Sequence, residues 1–273
     1  MTDHHGHTGD EAELRAVLTG EHPGMATMRR RMRHVPSTPR CKMCWAPFGG
    51  VGGGVLRHFG FSRYSGNPSI CNFCIRQFHD NGVTGAEIPV TLLFADIRGS
   101  TGIGERVSPT AFHDFLRRFY ALALDAVMAN EGLVDKFVGD EVVALFFGGV
   151  TGPGHAAAGI AAAERLVERC GRADATPMGP IPVGAGVHTG EAYVGTSGPV
   201  GQAVDDFTAL GDPVNAAARL ASSAAAGEIL VSVDALRAAG RETTPGERRT
   251  VEIRGRVGSL DVVVLRPGAG IPA

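Results

Sequence analysis

The chain has 273 residues, a length that fits one large domain or a domain with an appended module. Hydrophobic residues make up 44% and charged residues 20%, which permits a sizeable core, and the net charge is only −2. No apolar stretch reaches the roughly 18 residues of a membrane helix. The polar N-terminus also lacks the basic-then-apolar layout of a signal peptide, so we expect a cytoplasmic protein with no membrane partner.

Residues 1–35 predict a flexible arm or short helices. The first twenty-odd residues are expected to be disordered, and "EAELRAVLTG" and "GMATMRRRMRHV" are predicted as short helices, which Pro36 and Pro39 terminate. The basic run "RRRMR", Arg29 to Arg33, is interpreted as a solvated helix or arm. Contact with nucleic acid or an acidic partner is the alternative, although we expect no nucleic-acid partner.

Two C-x-x-C pairs stand within residues 36–82, formed by Cys41, Cys44, Cys71 and Cys74. Such pairs suit a tetrahedral zinc ion, because each pair bends round the ion in one tight turn. The 26-residue spacer is longer than the usual zinc-ribbon spacing, and an iron–sulfur cluster also takes four thiolates. Structural zinc is the first interpretation; an iron–sulfur or redox-sensing site and unmetallated thiols stay open. Cys170, alone on an apolar helix face, is interpreted as a core residue.

From residue 86 onward, apolar runs alternate between strand and helix patterns. The run "EIPVTLLFAD" predicts a buried strand, and the helix that follows begins with Ser108 as its cap and Pro109 at its first position. Strands sequential in the chain, with two packing helices, indicate an α+β sheet with its helices on one face. The further predictions are a hairpin "LVDKFVG"/"EVVALFF", a helix "GHAAAGIAAAERLVERC", a strand "IPVGAGVHTG" with "EAYVGTSG" turning back as its partner, a helix "DPVNAAARLASSAA", a strand "GEILVSV", a short helix "DALRAAG" and a final strand pair "RRTVEIRG"/"LDVVVLRP".

Two carboxylates stand at the ends of these apolar strands. Asp96 ends the first buried run, and Asp140 lies at the tip of the hairpin that should pair beside it. An acid among apolar neighbours is costly to ionise unless a cation compensates it. Carboxylate oxygens suit magnesium or manganese. The turn "RGST" directly after Asp96 opens towards a helix and presents backbone N–H groups that suit phosphates.

Four motifs, "LLFADIRGST", "VDKFVGDEVVALF", "VGAGVHTGEAYVGTSG" and "FTALGDPVNAAARLAS", occur in the order and at about the spacing of a class III nucleotidyl cyclase catalytic domain. The chain resembles that family over residues 86–266, with 267–273 as a tail. The resemblance implies a ferredoxin-like βαββαβ core that works as a head-to-tail homodimer. It also implies the reaction of an adenylate or guanylate cyclase, which converts ATP or GTP to a 3′,5′-cyclic nucleotide and pyrophosphate.

Carried over by motif, the resemblance assigns Asp96 and Asp140 to two Mg²⁺ or Mn²⁺ ions, with the backbone carbonyl of Ile97 as a further ligand. Asn215 and Arg219 match the pair that orients the ribose and neutralises the α-phosphate, and their i, i+4 spacing puts both on one helix face. The implied triphosphate contacts are the backbone of Gly99, Ser100 and Thr101 and, more loosely, Arg254.

Lys136 is one of only two lysines among 26 basic residues. It matches the purine-selecting lysine of the family, and Thr208 stands where the family usually has an aspartate. Guanylate cyclases typically place glutamate at the lysine position, so this pair favours ATP. A guanylate cyclase and a non-catalytic nucleotide-binding or dimerisation sensor remain the alternatives, and regulation by the cysteine module is a hypothesis.

Overall fold

The computed structural model describes residues 7–80, 84–197, 206–252 and 259–268. The described chain divides into two compact units. The first contains the described residues up to Pro89 and those within Phe147–Pro153 and Glu191–Gly211; the second contains the rest. None of the described helices is both long and apolar enough to cross a membrane.

The N-terminal segment contains the short helices that the sequence predicted. Helix α1 spans His7–Thr19, which confirms the helix predicted over "EAELRAVLTG" and corrects the expectation of disorder for the residues described. The reason is that Leu14 and Leu18 are buried, which gives this polar helix an apolar side that packs. Helix α2 spans Pro23–Met32 and ends ahead of Pro36, as predicted.

The cysteine module of the first unit is built from short elements. Helix α3 spans Gly50–Leu56, a 3₁₀ turn spans Arg57–Phe59, and helix α4 spans Asn72–Asp80. Isolated β-bridges, Arg40 with Pro47 and Arg63 with Cys71, pin the chain around the two C-x-x-C turns. The glycine run in α3 permits close packing, since a Cβ on Gly53 would lie 2.5 Å from the carbonyl carbon of Phe48.

Within the described residues, eight strands form one sheet. They are β1 (Gly85–Ile97), β2 (Leu133–Val138), β3 (Glu141–Phe147), β4 (Val183–Ser197), β5 (Asp206–Leu210), β6 (Ile229–Ser232), β7 (Glu247–Glu252) and β8 (Ser259–Leu265). The remaining helices are α5 (Ser100–Gly104), α6 (Pro109–Ala129), α7 (Gly148–Thr151), α8 (His155–Cys170), α9 (Asp212–Ser223) and α10 (Val233–Ala238).

The strand order is β2-β3-β1-β4-β6-β8-β7, and β5 pairs with β4. The succession β1-α6-β2-β3-α8-β4, with spatial order β2-β3-β1-β4, is the ferredoxin-like βαββαβ arrangement, so the predicted α+β fold class is confirmed. The predicted hairpin is also present, since β2 and β3 pair antiparallel with Val138 opposite Glu141. Ser108 caps α6 by accepting a hydrogen bond from Ala111 N–H at 3.2 Å, as predicted.

One predicted turn is absent. The segments "IPVGAGVHTG" and "EAYVGTSG" were expected to be two paired strands, but β4 runs through both without interruption, and its second half pairs with β5. Gly190, at the expected turn, serves packing, because a Cβ there would lie only 2.8 Å from the ring of Pro213. A glycine in a strand can therefore mark a close approach of neighbours as well as a turn.

The sheet of the second unit carries helices on both faces, which corrects the expectation of one. Ile229, Val231 and Val263 share a core with α6, α8 and α10, and Cys170 is buried in it as predicted. The alternate residues Leu230, Val262 and Val264 instead pack with Leu220 and Ala224, at and just beyond the end of α9. Because successive side chains of a strand point to opposite faces, α9 covers the other side.

A buried carboxylate ties β6, β7 and β8 together. Glu228 is 5% exposed; it accepts two hydrogen bonds from Arg249 at 2.8 Å each and one from Arg266 at 2.6 Å. Hydrogen bonding to Arg249 and Arg266 lowers the pKa of Glu228 from 4.5 to about 2, although burial opposes the shift.

We predict that Glu228→Gln lowers the free energy of unfolding at pH 7 by about 2 kcal/mol, because Arg249 and Arg266 lose their buried charged partner and retain the more exposed Glu247. The folded-state pKa is depressed, so the stabilisation is complete above pH 4.5 and is lost as pH falls towards 2. In urea unfolding, the difference in unfolding free energy between the wild type and Glu228→Gln should therefore be about 1 kcal/mol smaller at pH 4 than at pH 7. Exposed Glu242→Gln is the control; an equal effect of both variants would contradict this assignment.

Candidate active site

The structure brings the two predicted metal-binding aspartates together. Asp96 lies one residue before the end of β1, and Asp140 occupies the β2–β3 turn. The Ile97 N–H donates to the Asp140 carbonyl at 3.2 Å, which fixes the end of β1 beside this turn. The two aspartates are therefore neighbours at this end of the sheet, and the charge of Asp140 acts on the Asp96 carboxyl group.

This site concentrates negative charge in a partly buried place. Burial raises the pKa of Asp96, the guanidinium of Arg98 opposes the rise, and the charge of Asp140 adds to it. Burial, and then the charges of Asp96 and Asp140, likewise raise the pKa of Glu141. Three carboxyl groups facing one guanidinium form an environment that favours a bound cation, and their oxygens are the donors that Mg²⁺ and Mn²⁺ prefer.

Arg98 is a site residue that the sequence reasoning missed. Its guanidinium donates to an Asp96 carboxylate oxygen at 2.6 Å and to the carbonyl of Ser222, at the end of α9, at 3.1 Å. The Arg98 Nε lies buried without a hydrogen-bond partner. Arg98 lies in the turn just after β1, two residues beyond Asp96, and this nearness in the sequence was the available signal.

The turn that carries Asp140 is held by a second missed residue, Tyr120 of α6. Its hydroxyl donates to the carbonyl of Gly139, and its ring packs on Phe137 with centroids 4.6 Å apart. Gly139 has φ +59°, the left-handed conformation that glycine adopts without strain. Nothing in the local sequence links Tyr120 to a turn nineteen residues later, so only the packing of α6 shows this contact.

The predicted phosphate-binding turn follows Asp96 directly. Gly99 caps the five-residue helix α5 with φ +70°, and no atom lies within 4 Å of where its Cβ would be. Ser100 and Thr101 form the first turn of α5, where backbone N–H groups lack partners inside the helix.

Asn215 and Arg219 lie one turn apart on α9, as predicted. Asn215 is exposed and Arg219 is half-buried, with its Nε donating to the carbonyl of Glu252 at 3.3 Å. Arg254 falls outside the described residues.

The two candidate base-reading residues lie in different units. In the second unit, Lys136 follows a bulge in β2, and its ammonium, on a side chain 42% exposed, pairs with Asp135 at 3.6 Å. In the first unit, Thr208 is buried on β5 opposite Gly195 of β4.

The four cysteines of the two C-x-x-C pairs converge on one buried site. Their Sγ atoms all lie within 4.8 Å of one another; Cys41 and Cys74 are 3.9 Å apart, and Cys44 and Cys71 are 3.6 Å apart. A tetrahedral ion with bonds of about 2.3 Å to sulfur requires sulfur separations of about 3.8 Å, which these distances match. Hydrogen bonding to Cys41, together with burial, raises the pKa of Cys44 and Cys74. Burial opposes ionisation of Cys41 as well, but hydrogen bonds from the other three cysteines lower the pKa of Cys41. A bound cation would compensate the charge of the remaining thiolates.

Comparison with known proteins places this arrangement in a family. The model of the adenylate and guanylate cyclase catalytic domain family matches residues 85–266. An adenylate cyclase of Anabaena cylindrica is 36% identical over 134 residues, which are 48% of this chain and 26% of that protein. Adenylate cyclase 1 of Rhizobium meliloti is 32% identical over 150 residues, 54% of this chain and 22% of that protein.

Two solved structures share the fold at 25% sequence identity. The guanylyl cyclase Cya2 superposes with a TM-score of 0.61, covering 69% of this chain and 97% of that one. The adenylyl cyclase CyaB from P. aeruginosa gives a TM-score of 0.58, covering 70% of this chain and 100% of that one.

The fold and the paired carboxyl groups define a nucleotide cyclase catalytic domain. The chain belongs to the class III adenylate and guanylate cyclase family, whose catalytic domains bind a nucleotide and use divalent metals. The chain spans only about a quarter of the length of the curated relatives named above.

Proposed function

We propose that this protein is a cytoplasmic adenylate cyclase that forms 3′,5′-cyclic AMP and pyrophosphate from ATP at the interface of a homodimer. The observation that carries the proposal is the position of Asp96 beside the Asp140 turn, set by the hydrogen bond from Ile97 N–H to the Asp140 carbonyl, within a chain of the cyclase family. Five cysteines with free thiols fit a reducing compartment.

The carboxylates of Asp96 and Asp140, with the carbonyl of Ile97, would hold two Mg²⁺ or Mn²⁺ ions. Bound there, the ions would make the ribose 3′-hydroxyl a better nucleophile and neutralise charge on the triphosphate. The 3′-oxygen attacks the α-phosphorus, and the bond to the bridging oxygen of pyrophosphate breaks. The backbone of Gly99, Ser100 and Thr101 would hold the phosphates.

The second copy would supply the other half of each site. Asn215 would orient the ribose, and the Arg219 guanidinium would stabilise charge on the α-phosphate in the transition state. Arg254 would add charge at the triphosphate. One chain carries both residue sets, so a homodimer would contain two complete sites.

Mixing two inactive variants tests this composite site. Asp96→Asn and Asn215→Ala should each reduce the cyclase rate with Mn²⁺ and ATP by at least about 100-fold. An equimolar mixture should recover about a quarter of the wild-type rate, because half of randomly formed dimers are hybrids and each hybrid has one intact site. Chromatographic assay of cyclic AMP and pyrophosphate measures this. Exchange of subunits without recovery would contradict the shared site, and an inactive wild-type chain would favour a non-catalytic sensor.

ATP selection would depend on Lys136 and Thr208. An ammonium donates hydrogen bonds and cannot accept them, which suits the acceptor nitrogen of the adenine edge. The structural likeness to the guanylyl cyclase Cya2 favours GTP as the second candidate substrate. Of Lys136 and Thr208, Lys136 is the better residue for testing the choice between ATP and GTP, because its side chain carries a charge and that of Thr208 does not.

We predict that Lys136→Glu lowers the ratio of ATP to GTP turnover by at least about 10-fold, since the new carboxylate accepts from guanine. Measurement of cyclic AMP and cyclic GMP formed in competition gives this ratio. Lys136→Arg keeps the charge and is the matched control, with a smaller change expected because its forked head fits a single-ammonium site poorly. A wild-type chain that prefers GTP would overturn the assignment of ATP.

Zinc is the proposed ion of the cysteine site. The sulfur separations fit a single tetrahedral ion, whereas a cluster of several irons would hold its cysteines farther apart. The ion would crosslink the two C-x-x-C turns and stabilise a module built from short helices.

Elemental analysis of the purified chain should find one zinc ion per chain at this site. Cys44→Ala should lose it, and the matched control Cys170→Ala, a buried cysteine outside the cluster, should retain it. Iron with visible absorbance would contradict zinc. An unchanged cyclase rate after chelation would limit the module to a structural role.

A further inference from the structure

A cavity of about 650 Å³ lies within the first unit. It is bounded by the end of α1, one face of α2, Met43 of the first C-x-x-C turn, and the segment Gly148–Pro153. Its volume is in the range of about 300–1,000 Å³ that holds small-molecule ligands. Its lining contains none of the four clustered cysteines and none of the residues assigned to catalysis.

The face of α2 that lines this cavity has two chemically different halves. Met25 and Ala26 make its N-terminal half apolar, whereas Arg29, Arg30 and Arg33 make its C-terminal half cationic. Their spacing places all five on one side of the helix. Favourable interaction with the helix dipole explains basic residues in a last turn, but it does not require them to line a cavity.

Arg29 is a fixed part of the wall. Its guanidinium donates to the carbonyls of Gly149 at 2.5 Å and Val150 at 3.2 Å. It also lies 5.9 Å from the centroid of the Trp45 ring. These contacts hold α2 and the segment after β3 together, so the cavity has a defined shape.

Arg30 and Arg33 supply uncompensated positive charge. Neither forms an ion pair within the part of the chain that the structure describes, and Arg33 lies 5.0 Å from the centroid of Trp45. Glu21, the acidic residue of the lining, precedes the first residue of α2, whereas Arg33 follows its last; the ten-residue helix between them is about 15 Å long, at 1.5 Å per residue. The cavity therefore has a cationic end and an apolar end.

We propose that this cavity binds a small soluble molecule with one anionic group, a phosphate or carboxylate, on an apolar body. The anionic group contacts Arg30 and Arg33, and the body contacts Met25 and Ala26. The segment Gly148–Pro153 continues directly from β3, whose first residue follows Asp140. A ligand bound here thus acts as an effector of the cyclase; this regulatory part rests on the proposed function, and the binding itself does not.

Titration with hexyl phosphate tests the binding. Trp45 is the only tryptophan of the chain, so a saturable change in its emission reports a ligand at the arginines beside it. Arg30→Gln and Arg33→Gln should each weaken binding by at least about 10-fold, the effect of losing one charge-assisted hydrogen bond. Arg31→Gln makes the same charge change on the same helix outside the cavity lining and should bind as the wild type does. Arg33→Lys keeps the charge and should restore most of the affinity.

Equal binding of neutral hexanol, or an equal loss in Arg31→Gln and Arg33→Gln, would overturn the proposal. Binding to phosphatidylglycerol vesicles without binding of dissolved hexyl phosphate would also overturn it, because it would show a lipid surface as the ligand. Circular dichroism and melting temperature confirm that each variant folds. The cyclase rate at saturating hexyl phosphate tests the effector role. If the enzyme is active and its rate does not change, the effector role is refuted while the binding site stands. If the chain binds hexyl phosphate but has no cyclase activity, the proposed function is refuted while the binding site stands.

Discussion

The closeness of two carboxyl groups, those of Asp96 and Asp140, is the constraint on which the catalytic half depends. Like charges held together in a partly buried place oppose their own ionisation. The sheet overcomes this by joining the two backbones through the Ile97–Asp140 hydrogen bond, and Tyr120 fixes the turn beside it. Strand pairing thus holds two carboxyl groups closer than their mutual repulsion would otherwise allow. A divalent cation bound between them would reduce this repulsion.

Arg98 extends this constraint beyond the carboxyl pair. It bonds the Asp96 carboxylate and the backbone at the end of α9, the helix that carries Asn215 and Arg219. In the proposed dimer, Asp96 and this helix serve two different active sites. One guanidinium therefore ties together, within a single chain, groups that act in separate reactions. Without a metal it is also the charge that compensates Asp96.

The cysteine module has few residues with which to build a stable core. Its helices are short, and α3 is rich in glycine, which disfavours a helix by about 1 kcal/mol per residue relative to alanine. Glycine is nevertheless required where α3 approaches Phe48 closely. Four sulfur atoms lie at separations suited to one tetrahedral ion, and the proposed ion would provide the crosslink that a small apolar core lacks.

The sequence by itself determined the fold class, the β2–β3 hairpin, the cap of α6 and the cysteine cluster, because each depends on local periodicity, turn chemistry or ligand spacing. It failed for β4, where Gly190 resembled a turn. For the segment of α1 it left both disorder and a short helix open, and two buried leucines decide for the helix. Only the tertiary structure decided which side of the sheet α9 covers and how Arg98 and Tyr120 support the aspartates. Those contacts join residues far apart in the chain, and no local pattern of residue types encodes which distant groups will meet once the sheet has formed.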